Sequence, residues 1–217
     1  MLKALIFDFD GVIIDTETEW YHVYQDWLRQ QYDIEVKMED FLLAVGSDGA
    51  VLHKVLDQKA GYPIDWDRFY VWSDKEMPCR ASRLPAMKGV KELLEAAGQR
   101  GLKIALGSSS RRQYIEEQLK RLGLLSYFDV LSTSDLVKKV KPEPDIFLKA
   151  AELLQVKPEE CLIIEDSDNG RVAANRAGIP CLLVPNEITK HCHFENYYMM
   201  AESLNQVNLD AIAEDFI

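Results

Sequence analysis

The sequence predicts a doubly wound α/β fold, a parallel sheet flanked by helices, with a block of helices inserted after its first strand. Three observations carry this expectation. Residues Ala4 to Phe7 form a short apolar run, the signature of a strand buried on both faces. From Pro85 onward, short apolar runs alternate with helical periodicity, the pattern of parallel strands joined by crossover helices. Between the two, residues 15–85 carry helical stripes with no strand pattern. A lone N-terminal strand has no other sheet to join, so it pairs with the later strands. The expected division is therefore residues 1–14 and 86–217 for the α/β core and 15–85 for the helical insertion.

In chain order, the first helix opens at Asp15. Thr16 and Glu19 fit a capping box, and Trp20, Val23, Tyr24, Trp27 and Leu28 form an apolar stripe. Further helices are predicted over about 38–45, 50–60 and 66–80, and Arg83-Leu84-Pro85 closes the block. A helix over 88–98 ends at Gly101, followed by the strand LKIALGSSS and a helix over 110–122 ending at Gly123. A short strand, FDVLST, precedes a helix from Pro144 to Gln155. The strand CLIIED, a helix ending at Gly178 and the strand CLLVP complete the series. The tail from about 187 shows no periodicity and reads as irregular.

Composition narrows the function classes. The 217 residues suffice for one good core and a second small one, and 47% hydrophobic with 28% charged residues describe an ordinary globular chain. The formal net charge of −11 argues against nucleic acid or an anionic membrane as partner. An anionic substrate must then be drawn in by a local cation, a metal or helix N-termini. The start, MLKALIFDFD, is too short and too quickly acidic for a signal peptide, and no apolar run has the length of a membrane span. Cys79, Cys161, Cys181 and Cys192 show no C-x-x-C spacing, and there is no N-x-S/T acceptor. A reducing, cytoplasmic setting and a monomer are the expectations.

Ligands of such a sheet bind outside the carboxyl ends of its strands. The first strand ends in Asp8-Phe9-Asp10-Gly11, two acids at i and i+2 that share one small volume. Like charges that close are tolerable with a cation between them, or with one acid protonated. Both are catalytic tools: a metal, or a nucleophile beside a general acid. The alternative is a mere turn; a calcium loop fails because glycine falls at its fourth position rather than its sixth. The second strand offers Ser108, with Ser109 and Ser110 after it, and the CLIIED strand offers Glu165 and Asp166, with Asp168 beyond. Lys141 precedes a helix start between two prolines, Pro142 and Pro144. Acids from two strands suit Mg²⁺, while a serine at a helix N-terminus and a lysine suit phosphate oxygens. Singly, the serines read as an N-cap, Lys141 as a solvated base beside Lys138 and Lys139, and Glu165-Asp166 as an Asx turn. All of them at the right strand ends read better as one site.

These residues give the chain a resemblance. FDFDGVIIDTE, ALGSSS, VKPEPDIF and IIEDSDNG match, in order and spacing, the four motifs of the haloacid dehalogenase-like hydrolases. The subgroup resembled has a helical cap after the first strand of its Rossmann-like core, and includes β-phosphoglucomutase-like sugar-phosphate phosphatases. The match covers most of the chain and weakens in the cap and after about residue 186. The resemblance implies that Asp8 is the nucleophile that forms an aspartyl-phosphate and that Asp10 is the general acid and base. It implies that Ser108, Ser109 and Lys141 hold the phosphoryl oxygens. Asp8, the Asp10 carbonyl and Asp166 would ligate Mg²⁺, with Glu165 in or beside the shell. The cap would close over the site, with hinges near Asp15-Thr16 and Arg83–Pro85.

Asp10 itself points to phosphate esters, since relatives that cleave C–halogen or C–P bonds lack it and the transport ATPases carry Thr there. The mutase relatives have a histidine where this chain has Trp20, with His22 on another face, and an arginine shortly after the cap glycine, where Gly46 is followed by Ser47-Asp48-Gly49. Both departures favour a phosphatase of a small phosphorylated metabolite over a phosphosugar mutase. A non-catalytic sensor has no need of the second acid. His191-Cys192-His193 lacks neighbouring ligands for zinc. The insertion's aromatic residues read as its core, with one or two free to line a pocket.

Overall fold

A computed structural model describes residues 1–45 and 49–216. Among them, strands β1 (Ala4–Phe7), β2 (Lys103–Gly107), β3 (Val130–Ser132), β4 (Cys161–Glu165), β5 (Cys181–Leu183) and β6 (Met199–Met200) form one parallel sheet. The order is β3-β2-β1-β4-β5-β6, so β1 is central and is buried along its whole length. Alternation sorts its side chains into two layers. Leu5 and Phe7 pack with α5 (Val90–Gln99) and α6 (Arg112–Arg121), through Leu93, Leu94, Ile115 and Leu119. Ala4 and Ile6 pack with α7 (Asp145–Leu154) and α8 (Asp168–Ala177), through Phe147, Ala150, Ala173 and Ala174. The expected doubly wound α/β architecture is the one observed.

Between β1 and α5 lie α1 (Thr16–Tyr32), α2 (Met38–Phe41), α3 (Ala50–Ala60) and α4 (Trp66–Ala81). They bury a further cluster, with Val23, Tyr24, Trp27, Leu28, Leu52, Leu56 and Phe69 at its centre and Ile188, from beyond β5, joining it. The Phe69 ring lies 4.4 Å from Tyr24 and 5.1 Å from Trp27, centroid to centroid. The expectation of an aromatic core in this segment holds. The two chain crossings into the segment run side by side, since Met87 N–H donates to the Ile13 carbonyl at 2.8 Å.

Four details differ from the sequence reading. Asp15, not Thr16, caps α1, accepting from the Thr18 N–H at 3.1 Å and the Thr18 hydroxyl at 2.8 Å. Thr16 is the first helical residue, and its hydroxyl is used elsewhere. The 38–45 helix shortens to α2. The serines after β2 form a loop, and α6 begins only after Arg111. The tail is ordered: it adds β6 beside β5 and the helix α9 (Leu209–Asp215). A two-residue strand and a seven-residue helix are too short to show periodicity, which is why the sequence hid them. No helix among the described residues is long and apolar enough to cross a membrane.

Phe69 is fully buried. Phe69→Ala should cost about 3–5 kcal/mol, the range for deleting a buried phenyl ring. Urea unfolding measures it, and a loss below about 1 kcal/mol would mean that this cluster does not stabilise the segment.

Candidate active site

The carboxyl ends of the central strands converge. β1 and β4 are neighbours in register Phe7↔Ile164, so Asp8 and Glu165 necessarily emerge side by side. Asp8, Glu165 and Asp166 are all buried, and one carboxylate oxygen from each lies within 4.8 Å of the others. Lys141 reaches between the first two, with its Nζ 2.7 Å from Asp8 Oδ1 and 2.6 Å from Glu165 Oε1. Lys138 and Lys139 are exposed, whereas the Lys141 side chain is only 6% exposed, so it is not one more solvated base. Phe147 forms a floor beneath it, 4.8 Å from Nζ to the ring centroid.

The charges do not balance. Burial would lower the Lys141 pKa, but Asp8 and Glu165 outweigh it and hold the ammonium charged. Burial would raise Glu165, but Lys141 and the Ser167 N–H pull it below the usual carboxylate range. Its Oε2 also accepts from the Asp166 N–H at 2.9 Å and the Ser167 hydroxyl at 3.0 Å. Asp8 is pushed well above its ordinary value, first by burial and then by Glu165. Asp166 is raised likewise by burial, with Glu165 and Glu17 adding to it. One ammonium thus serves three buried acids.

Asp10 has a separate environment. It is half-buried, and its two oxygens accept from the Thr16 hydroxyl at 3.0 Å and the Ser110 hydroxyl at 2.8 Å. Burial raises its pKa and these two bonds draw it back. The three serines divide their tasks. Ser108 is fully buried and its Oγ accepts from the Ser110 N–H at 3.0 Å; Ser109 is exposed at the cavity wall; Ser110 holds Asp10. A cavity of about 500 Å³ is lined by Asp8, Asp10, Ser109, Lys141 and Asp166, with Glu17 and Trp20 on the α1 side. Burial, followed by the charges of Asp10 and Asp15, raises Glu17 to about 7.

The sequence-predicted residues Asp8, Asp10, Ser108, Ser109, Lys141, Glu165 and Asp166 therefore lie together at one sheet end. Ser110 was among the expected site serines, but its bond to Asp10 was not foreseen, nor were the partners Thr16, Ser167 and, above all, Asn186. Asn186 Nδ2 donates to Asp166 Oδ2 at 2.8 Å, while its Oδ1 accepts from the Ile188 and Thr189 N–H groups, both at 2.9 Å. The N-x-x-T pattern of an Asx turn was the available signal, hidden in a tail read as irregular. Trp20 lines the cavity, whereas His22 is exposed. The expected comparison at Gly46-Ser47-Asp48 lies outside the described residues. His193 is exposed and pairs with Glu195 at 3.2 Å; the only cluster of three potential metal ligands among the described residues is the buried acid group.

Residues 5–184 match the family model of the haloacid dehalogenase-like hydrolases. The chain is 38% identical over 210 residues to the Bacillus subtilis (strain 168) protein named "Putative phosphatase YhcW", covering 96% of this chain and 95% of that one. It is 32% identical over 181 residues to the phosphorylated carbohydrates phosphatase of Thermotoga maritima, covering 82% of each. Among solved structures, β-phosphoglucomutase from Clostridium difficile superposes with a TM-score of 0.78 at 25% identity, over 100% of this chain and 97% of that one.

Gly170 bears on the charge cluster directly. A Cβ placed there would lie 1.7 Å from Glu165 Oε1 and 1.8 Å from its Cδ. Gly170→Ala should displace Glu165 from Lys141 and cost about 2 kcal/mol or more. Gly98→Ala is the control: nothing lies within 4 Å of its Cβ, and helix propensity should make the change neutral or stabilising. Equal stabilities of the two variants in urea unfolding would contradict this reading of Glu165.

Proposed function

The chain belongs to the haloacid dehalogenase-like hydrolases and is a phosphoric monoester hydrolase; from that premise we propose that it hydrolyses a small phosphorylated metabolite, a sugar phosphate, through an aspartyl-phosphate on Asp8 with Mg²⁺ as cofactor. The observation that carries the reading is the Lys141 ammonium seated between Asp8 and Glu165, with the separately held acid Asp10 two residues on.

The donor set fits a divalent cation. It is all oxygen, as Mg²⁺ prefers, and two of its three buried acids carry pKa values raised first by burial and then by the charge of Glu165. In this proposal Asp8, Asp166 and the Asp10 carbonyl would hold the ion, with Glu165 in or beside its shell. When bound, the ion neutralises charge on the phosphoryl oxygens. The Asp8 carboxylate attacks phosphorus and the bond to the leaving oxygen breaks, while Asp10 gives that oxygen a proton. Asp10 then takes a proton from water, whose oxygen displaces Asp8 and releases phosphate. Lys141 offsets charge on Asp8 and, with Ser108 and Ser109, orients the phosphoryl oxygens. Phosphoryl transfer asks mostly for such positioning and charge neutralisation.

We assign residues 15–85 the role of a cap over the core formed by 1–14 and 86–217, hinged near Asp15-Thr16 and Arg83–Pro85. The separate aromatic cluster and the paired crossings at Ile13 and Met87 support it. The proposed setting is the cytoplasm and the proposed state a monomer; four free cysteines are compatible with a reducing compartment. The likeness to a β-phosphoglucomutase favours a second reading, a phosphosugar mutase. Trp20 in place of the mutases' histidine and the relative named as a carbohydrate phosphatase weigh for hydrolysis.

Phosphate release from a panel of sugar phosphates should require a divalent cation and stop with chelator. Asp8→Asn should lower kcat at least about a thousandfold while circular dichroism stays unchanged. A fully active Asp8→Asn enzyme sinks the covalent mechanism. Isomer interconversion primed by a bisphosphate, without net phosphate release, would move the assignment to the mutase.

Asn186→Ala should weaken Mn²⁺ or Mg²⁺ binding, measured by calorimetry, about 10–100-fold, because it frees Asp166. Thr189→Val loosens the same turn, losing the Oγ1 that accepts from the Asn186 N–H at 3.0 Å, yet leaves the Asp166 contact in place. It should bind the cation nearly as the parent does. Equal losses in both variants would reduce Asn186 to a turn residue.

A further inference from the structure

Beyond the phosphoryl cavity, a second lobe of about 210 Å³ opens between α1, α4 and α6. It shares Asp10, Thr16, Trp20 and Ser110 with the first, so whatever fills it is joined to the oxygen that Asp10 serves. Its volume corresponds to roughly seven water molecules, the scale of a small leaving group. Trp20, Met77, Pro78 and Tyr114 supply apolar walls.

The charge of this lobe is one-sided. Its acidic lining is Asp10 and Asp74, and no lysine, arginine or histidine lines it among the described residues. Asp74 has no ion-pair partner among the described residues. Arg121 acts electrostatically on Tyr114, but its guanidinium is held by Gln118 Oε1 at 2.9 Å and the Ala81 carbonyl at 3.2 Å. The Lys141 ammonium, whose side chain is buried, lines the phosphoryl lobe and not this one. Among the described residues the Trp20 indole N–H and the Tyr114 hydroxyl have no hydrogen-bond partner. No buried side-chain polar atom of the described residues lacks a partner, so both groups are open to solvent or to a bound molecule.

From this geometry we infer that the leaving group is a small, uncharged polyhydroxy unit, a sugar or polyol, and that Asp74 excludes leaving groups with a second anionic group. This rests on the phosphatase reading above. An uncharged hydroxyl donates to Asp74 and accepts from Trp20 and Tyr114. A carboxylate or second phosphate entering the lobe meets two acids and no cation. Repulsion of the wrong ligand sets specificity as effectively as attraction of the right one.

The test compares kcat/KM for glucose monophosphate, for phosphogluconate as its carboxylated counterpart, and for glucose bisphosphate, with p-nitrophenyl phosphate, whose leaving group has no second anionic group, as the control. The parent enzyme should prefer the monophosphate over both anionic substrates by at least tenfold. Asp74→Lys should shrink or reverse that ratio while p-nitrophenyl phosphate turnover changes far less. Asp74→Asn, a smaller change, should shrink it in the same direction if the lysine variant fails to fold. A parent that prefers either anionic substrate, or turns over p-nitrophenyl phosphate but none of the sugar esters, overturns the inference with the phosphatase reading intact. The inference is also overturned if the ratio is unmoved in both variants. Absence of turnover on every compound, with metal present, overturns the phosphatase reading itself.

Discussion

The site depends on one imbalance: three buried carboxylates around a single ammonium. Strand register forces it, because β1 and β4 lie side by side, Asp8 directly follows β1 and Glu165 ends β4. Such a cluster is costly unless its members are paired or neutralised. Glu165 takes the larger share of what the protein supplies, through Lys141 and the N–H and O–H groups at the start of α8. Asp8 shares the lysine and accepts the Phe9 N–H at 2.7 Å. Asp166 has Asn186. In the proposed function, the remaining negative potential is what would draw a cation into the pocket and, with the cation, a phosphoryl group.

The backbone around the cluster is shaped by the same crowding. Gly11 adopts φ +79, and a Cβ there would lie 2.1 Å from Asp166 Oδ2, so no larger residue fits while Asp166 keeps its place. Asp10 is spared this crowding. Held by two hydroxyls rather than an ammonium, it sits in surroundings unlike those of Asp8. Burial raises the pKa of both acids, and that of Asp8 well above its ordinary value, so it is the charge of a bound cation that would keep Asp8 ionised as a nucleophile while Asp10, held by two hydroxyls, serves as the acid.

Much of this was legible in the sequence. The acids and the lysine fall at strand ends or a helix start, and strand ends can be located from apolar runs. The pairing of Asp8 with Asp10 was foreseen through i and i+2 on a strand, but β1 ends at Phe7 and the two acids sit in the turn beyond it. The supporting residues were not legible. Ser110 and Thr16 reach Asp10 across 100 and 6 positions of chain, and no local pattern encodes such distances. Asn186 lies where periodicity fails, because β6 and α9 are too short to carry any. Sequence pattern shows what a strand or helix can do for itself, and less of which hydroxyl a turn delivers to a carboxylate.

The central claim is that Asp8 takes the phosphoryl group. It is tested most directly by quenching the enzyme during turnover with borohydride, which reduces an acyl-phosphate to an alcohol. Peptide mass spectrometry should then find homoserine at position 8, dependent on substrate and divalent cation and absent from Asp10. An unmodified Asp8 in an enzyme that is turning over, with the reduced residue at another acid or at none, would contradict the account.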